Sequence, residues 1–124
     1  MELTKVEISS SNPTTEGQLE QLAEEGDTVT LTVESSEALK SLSLTDTQEA
    51  HQTLNPVDSL RVGMAGREWT LSAILKSENL SSCMLPLVCE AQLQKFTKLF
   101  YEDLKGNNGV LDGSTTNNSK VTVE

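Results

Sequence analysis

The sequence predicts an all-β fold, an antiparallel sandwich of about seven short strands. The clearest observation is EGDTVTLTVESSE at 25–37, where Val29, Leu31 and Val33 alternate with Thr and Glu, as in a strand with one buried face. Similar short alternations recur along the chain and are separated by turn residues. No long stretch of helical spacing interrupts them.

The first predicted strand lies in LTKVEISSSN at 3–12, where Val6 and Ile8 alternate with polar residues before Asn12-Pro13 ends the run. The polar, acidic segment 14–26 follows. In this segment Leu19, Leu22 and Ala23 have the spacing of a short helical turn. The strand at 25–37 comes next, and then ALKSLSLTD predicts another, with Leu42 and Leu44 inward.

Residues 46–56 are polar, and Pro56 is expected to stop any regular element. The stretch 57–75 then predicts a hairpin that turns at Ala65-Gly66. Its second strand, REWTLSAIL, alternates apolar and polar residues from Trp69 onward.

After a polar connection at 76–82, the segment 90–104 fits two interpretations. Leu93, Phe96, Leu99 and Phe100 fit a helix, and the same segment also fits a strand. The chain then predicts a turn at GNNG, 106–109, and a last strand in SKVTVE.

Composition fits one domain of 124 residues with a core of Leu, Val and Ile, since aromatic residues make up only 3%. Nineteen acidic against nine basic residues give a net charge of −10, which disfavours nucleic acid and anionic membrane surfaces as partners. No apolar run approaches the ~20 residues that span a bilayer, so no membrane insertion is expected. No signal peptide is visible.

Four stretches together resemble a known family. They are LTKVEISSSN at 3–12, EGDTVTLTVESSEAL at 25–39, REWTLSAIL at 67–75, and YEDLKGNNG at 101–109 with KVTVE at 120–124. In this order the chain resembles a single immunoglobulin-like domain of the kind repeated in bacterial surface adhesins. The resemblance implies an immunoglobulin-like antiparallel sandwich, and a strand at 90–104.

The chain departs from the family between 81 and 100, where the family has one short strand and commonly no cysteine. This departure leaves room for a eukaryotic extracellular protein built from the same module. We expect residues 1–124 to be one such domain of a larger multidomain protein.

In such a sandwich Trp69 is expected to be a core anchor whose N–H finds one acceptor, the alternative being an exposed binding aromatic. Tyr101 resembles the corner tyrosine of these sandwiches, whose hydroxyl bonds to backbone. Asp103 is expected to accept hydrogen bonds from the turn, with Gly106 and Asn107 in left-handed conformations.

Cys83 and Cys89 are separated by five residues around Pro86. This spacing allows a disulfide, with free thiols as the alternative. A disulfide indicates an extracellular location, which sequons at Asn79 and Asn117 also favour. The apolar residues of the enclosed loop are either packed on the core or kept as an interaction surface. They are Met84, Leu85, Leu87 and Val88.

A solvated surface is the ordinary explanation of the acidic residues, and those in turns are weak candidates for Ca²⁺ ligands, since EF-hand spacing is absent. The candidates are Glu25, Asp27, Glu102, Asp103 and Asp112. The two cysteines and the single His51 have no spacing suited to Zn²⁺.

No motif for catalysis is found, because His51 is the single histidine and phosphate loops and nucleophile elbows are absent. The expected function is a non-enzymatic, extracellular adhesion, recognition or spacer module, with proteins or neighbouring domains as partners. The alternative is an accessory glycan-binding or Ca²⁺-binding domain of a secreted enzyme.

Overall fold

The computed structural model describes residues 2–12, 17–18, 20–45, 51–57, 63, 65–76 and 95–123. Every regular element in this part of the chain is a β-strand, which confirms the all-β prediction. The strands are β1 (Leu3–Ser10), β2 (Glu20–Ala23), β3 (Thr28–Ser35), β4 (Leu39–Thr45), β5 (His51–Thr53), β6 (Asn55–Pro56), β7 (Glu68–Ile74), β8 (Lys95–Asp103), β9 (Asn108–Ser114) and β10 (Lys120–Val123).

Two four-stranded sheets and one strand pair make up the fold. The first sheet has the order β1-β3-β7-β6, and the second has the order β5-β4-β8-β9. All neighbours within these two sheets are antiparallel. The remaining pair, β10 and β2, is parallel.

The core lies between the two large sheets. In β3 every second residue is buried, and Val29, Leu31 and Val33 are fully inaccessible, as the alternation predicts. Leu42 and Leu44 of β4 face them from the second sheet and are equally buried. The other buried apolar residues are Val6, Ile8, Ala23, Leu39, Leu54, Trp69, Leu71, Leu75, Leu99 and Val121. Aliphatic side chains thus make this β-sandwich core, apart from one indole.

The ambiguous segment forms a strand over the part that is described. β8 pairs with β4 on one side and β9 on the other, so its backbone groups are used between strands and not within a helix. Leu99 is fully buried in the core. The strand interpretation is confirmed for 95–103, while 90–94 lie outside the described residues.

One open possibility for a short segment is excluded, and one expectation is wrong. Leu22 and Ala23 belong to the strand β2 and not to a helical turn, because β10 supplies inter-strand hydrogen bonding. Pro56 lies in β6 opposite Trp69, where it was expected to stop regular structure. β6 is an edge strand, the position in a sheet where a residue without an N–H is tolerated.

The predicted turn at 106–109 is displaced towards the N-terminus. Asn108 and Gly109 already belong to β9, and the hairpin closes where the Asp103 N–H donates to the Asn107 carbonyl at 2.9 Å. Gly106 has φ +90 as expected, but Asn107 does not have positive φ. One glycine suffices for the left-handed position, so Asn107 keeps a negative φ just before the return strand begins at Asn108.

Candidate functional site

Trp69 lies inside the molecule and is unavailable as an exposed binding aromatic. Its side chain is 3% exposed, and its indole N–H donates to the Gly66 carbonyl at 2.9 Å. Gly66 has φ +75, and a Cβ built on it would lie 3.2 Å from the Cβ of Ala38. The turn before β7 therefore packs tightly against the loop before β4 and presents a carbonyl to the indole.

Tyr101 packs between the core and β9 and holds β9 close to β8. Its side chain is partly buried and packs against the core. Tyr101 is paired with Gly109 of β9, and a Cβ built on Gly109 would lie 2.5 Å from the Tyr101 ring. Within the described part of the chain its hydroxyl makes no hydrogen bond to backbone, unlike that of a corner tyrosine. Tyr101 lies near the end of β8, whereas the corner tyrosine lies near the start of the equivalent strand.

Asp103 organises the turn between β8 and β9. Its Oδ1 accepts the backbone N–H groups of Asn107 at 2.8 Å and Lys105 at 2.9 Å, and its Oδ2 accepts the Asn107 side-chain amide at 3.1 Å. The backbone hydrogen bond from Asn107 is the main cause that lowers the pKa of Asp103 below its usual range. The Asn107 side chain and the N–H and charge of Lys105 act in the same direction, against partial desolvation.

Asp27 organises a second turn before β3. Its Oδ2 accepts the Glu24 N–H at 2.8 Å and the Asn12 side-chain amide at 3.1 Å. This carboxylate, like that of Asp103, is therefore engaged in closing a turn.

The candidate Ca²⁺ ligands are divided between the two ends of the sandwich. Glu25 and Asp27 precede β3, whereas Asp103 pairs with Leu39, which follows the end of β3. β3 is eight residues long, so the two turns lie about 25 Å apart.

Glu102, the neighbour of Asp103, pairs instead with Lys40 at 3.4 Å. The backbone of Asp112 lies in β9. Among the described residues no group of three or more His, Cys, Asp or Glu is placed to hold a metal ion.

The cysteine loop lies outside the described residues. This applies to Cys83, Cys89, Asn79 and the apolar positions Met84, Leu85, Leu87 and Val88. The disulfide and the role of this loop stay predictions.

The outer edge of β1 is covered by side chains. Three backbone N–H groups on this edge donate to side-chain oxygens from segments that follow β1 in sequence. They are Val6 to Thr116 Oγ1 at 3.1 Å, Ile8 to Ser119 Oγ at 3.0 Å and Ser10 to Gln21 Oε1 at 2.6 Å. The Thr116 N–H also donates to the Val6 carbonyl at 2.8 Å. These contacts occupy the groups with which another strand would pair.

The sequon at Asn117 belongs to this cover. Ser119 is 3% exposed because its hydroxyl is bound to β1, and its backbone N–H donates to Asn117 Oδ1 at 3.1 Å. The segment between β9 and β10 is therefore a built turn whose hydroxyl groups face β1.

The outer edge of β9 differs from that of β1. Asp103 and Asn107 are hydrogen-bonded across the hairpin, so by alternation Tyr101 and Gly109 form the next hydrogen-bonded pair. The backbone groups of Asn108 and Val110 then point away from β8. Within the described part of the chain no hydrogen bond occupies them, so β9 presents a free edge at Asn108 and Val110.

An open groove of about 500 Å³ borders this edge on the outer face of the second sheet. Phe100 lies between Val110 of β9 and Ser43 of β4, and Val110 is 53% exposed. Other residues that line the groove are Ser41, Tyr101, Glu102, Asn108 and Gly109. Free backbone groups and an apolar surface thus lie side by side.

The sequence places Val6 and Ile8 in a strand but does not predict the hydrogen bonding of either edge. Phe100 was noted for helical spacing, and Val110 follows a glycine in a stretch expected to be a turn. Nothing local marks Thr116 or Ser119 as partners of β1, because these contacts span more than a hundred residues.

No protein-family model matches the chain, and it matches no curated protein and no solved structure. Among the described residues there is no helix long and apolar enough to cross a bilayer.

Proposed function

We propose that the chain is an immunoglobulin-like module of a larger secreted or cell-surface protein, and that it acts in adhesion or recognition or as a spacer. The observation that carries this proposal is the free β9 edge beside the groove at Phe100 and Val110. Two of the carboxylates that sequence analysis proposed as ligands instead close turns. The described geometry therefore favours surface contact over chemistry.

The strand order supports the immunoglobulin-like part of the proposal. Immunoglobulin sandwiches have strands A, B, E and D in one sheet, and C and its extension C′ with F and G in the other. β1, β3, β7 and β6 correspond to A, B, E and D, and β5, β4, β8 and β9 correspond to C′, C, F and G. β2 and β10 are additions to this plan.

An extracellular location is part of the same proposal and rests on a disulfide between Cys83 and Cys89. Both cysteines lie between β7 and β8, so this bond would close a local loop and not join the two sheets. Thiol titration of denatured, unreduced protein from an oxidising host tests the bond. We expect no free thiol, and two free thiols would refute it.

A glycan-binding accessory domain is the second candidate. The observation that favours it is the position of Phe100 among Ser41, Ser43 and Asn108, because sugars stack on aromatic rings and hydrogen-bond to hydroxyl and amide groups.

The recognition role is tested with the domain immobilised on beads and exposed to extracellular-matrix proteins and to a polysaccharide panel. Val110→Ser is compared with Ile74→Ser, since these two side chains are 53% and 59% exposed and Ile74 lies in the other sheet. We expect Val110→Ser to weaken binding about tenfold, a difference of about 1.4 kcal/mol, and Ile74→Ser to leave binding unchanged. Binding to polysaccharide alone favours the second candidate, and no binding by the wild type leaves the spacer role.

A further inference from the structure

β9 combines the two features that recognition of an extended peptide requires. Outward backbone groups at Asn108 and Val110 supply main-chain hydrogen bonds, and the adjoining groove supplies a place for a side chain. We propose that β9 binds an extended basic segment of a partner protein as an added antiparallel strand. This rests on the proposed recognition function and names its site.

The groove selects an apolar residue at one position of the added strand. A residue paired with Val110 lies on the same face of the sheet, with its Cβ roughly 5 Å from that of Val110. Phe100 lies directly across from Val110 in β8, so the incoming side chain extends the apolar row formed by Phe100 and Val110.

Charge selects a Lys or Arg two positions away. Glu102 is on the same face as Phe100 and pairs with Asn108, so a basic residue paired with Asn108 reaches its carboxylate. Lys40 lies 3.4 Å from Glu102, but Lys40 is 69% exposed and such pairs are weak. The net charge of −10 also attracts a basic segment and repels a second copy of this chain.

The charges also fix the direction of the added strand. Lys98 lies on the opposite side of Phe100 from Glu102, on the same face, and is exposed. A basic residue is therefore favoured near Asn108 and disfavoured at the other end of the groove.

The other edges are unsuited to this role. The three hydrogen bonds described above cover β1, and β5 and β6 are only three and two residues long. β9 is seven residues long, and in the described part of the chain the outward backbone groups of its residues Asn108 and Val110 are free.

The probe, called the Lys-Val peptide, is the synthetic peptide Ser-Thr-Val-Thr-Lys-Thr-Lys, in which Val pairs with Val110 and the Lys two positions later pairs with Asn108. It is added to ¹⁵N-labelled domain and followed by NMR and amide hydrogen exchange. We expect the amides of Asn108 and Val110 to exchange at least about tenfold more slowly with peptide, and those of Val6 and Ile8 to stay unchanged. Three control peptides are a Glu-for-Lys version, a scrambled version with the same composition, and a version N-methylated at alternate residues. We expect each to bind at least tenfold more weakly.

Two proline variants test the register. Val110→Pro removes an N–H that points to solvent, so the domain folds and loses at least about tenfold in peptide affinity. Leu111→Pro removes an N–H that points to β8, and it lowers stability instead. The conservative Val110→Thr keeps the N–H and a branched side chain, and it retains binding.

The proposal is overturned if the Lys-Val peptide does not bind, if a control peptide binds equally well, or if Val110→Pro binds as the wild type does. Slow exchange at Asn108 and Val110 in concentrated protein without peptide would identify a second copy as the occupant and also overturn it. None of these results decides whether the wild type binds a partner in the bead assay. Wild-type binding that Val110→Ser leaves unchanged would keep the recognition role and place it on another face. The two proposals therefore fail separately.

Discussion

The two longest edge strands of the sandwich, β1 and β9, end their sheets in different ways. β1 donates three N–H groups to side-chain oxygens, whereas the backbone groups of Asn108 and Val110 in β9 face solvent. With β1 covered and with β5 and β6 only three and two residues long, β9 is the edge of the two large sheets best suited to accept an added strand in the described part of the chain. The comparison teaches that edge chemistry, more than surface composition, decides where this domain accepts a partner.

A sheet edge covered by side chains differs from a sheet edge that is paired with another strand. A strand paired with β1 would satisfy its outward groups but would expose a new edge of its own. The hydroxyl groups of Thr116 and Ser119 satisfy the same groups and leave no further row of donors. The chain leaves β9, crosses to β1 in this segment, and then enters β10.

The prediction with the largest expected change in stability tests whether the two sheets share one core. Trp69→Ala is expected to lower the free energy of unfolding by about 3–5 kcal/mol, because it empties the largest buried side chain. Ile74→Ala, in the same strand but 59% exposed, is the matched control and should cost under about 0.5 kcal/mol. Urea unfolding followed by far-UV circular dichroism measures both changes.

Amide exchange in the same variants shows whether the two sheets are coupled. In Trp69→Ala, protection is expected to fall together in β3 and β8, since a small sandwich unfolds as one unit. A cost below about 1 kcal/mol, or loss of protection in the first sheet alone, would contradict a shared core.

The core strands were predictable from the sequence, and the edges were not. β3 follows from the alternation of Val29, Leu31 and Val33, because burial of one face imposes a period of two. β9 contains Asn108 and two glycines, which are poor strand formers, and pairing with β8 overrides this propensity. The contacts of Thr116 and Ser119 with β1 depend on long-range geometry that no local pattern encodes.

The next prediction concerns the loss of one side chain that covers the edge of β1. Ser119→Ala leaves the N–H of Ile8 without its acceptor in a buried position, at a cost of about 1–3 kcal/mol. Exchange at Ile8 is expected to speed up towards the rates at Asn108 and Val110. Ser41→Ala, at an exposed position of the second sheet, is the control for loss of a hydroxyl and should change little. If Ile8 keeps its protection, the Ser119 hydroxyl is not what protects this amide and the cover is not specific.

A prediction of comparable size tests whether Tyr101 fixes the position of β9, the strand with the free edge. Gly109→Ala is expected to cost about 1–3 kcal/mol, because the added Cβ would lie 2.5 Å from the Tyr101 ring. The same substitution in a Tyr101→Ala background should cost at least about 1 kcal/mol less, since the ring is gone. Equal costs in the two backgrounds, measured by urea unfolding, would show that Tyr101 does not fix the position of β9.

The prediction with the smallest expected change in stability concerns the turn before β9. The contribution of this turn to stability depends on pH. The hydrogen bonds from Asn107 and Lys105 lower the pKa of Asp103 in the folded state. Its ionised form therefore stabilises the fold above the unfolded-state pKa of about 4, and this contribution is lost as the pH falls through the lower folded-state value. The Tm of the wild type should exceed that of Asp103→Ala at pH 7, and the gap should narrow from about pH 4 downward.

Glu25→Ala, which removes one carboxylate at the other end of the sandwich, is the control for a change in net charge. A gap for Asp103→Ala that stays constant down to pH 2, or that widens, would contradict the role of the ionised carboxylate.

The peptide site provides a second readout of the same turn. Asn108 is the first residue of β9 after the loop that Asp103 closes, so peptide affinity should weaken over the same pH range in the wild type. Asp103→Ala should bind more weakly at pH 7. It should lose the part of the pH dependence that Asp103 contributes, whereas the weakening that follows from protonation of the other surface carboxylates should remain.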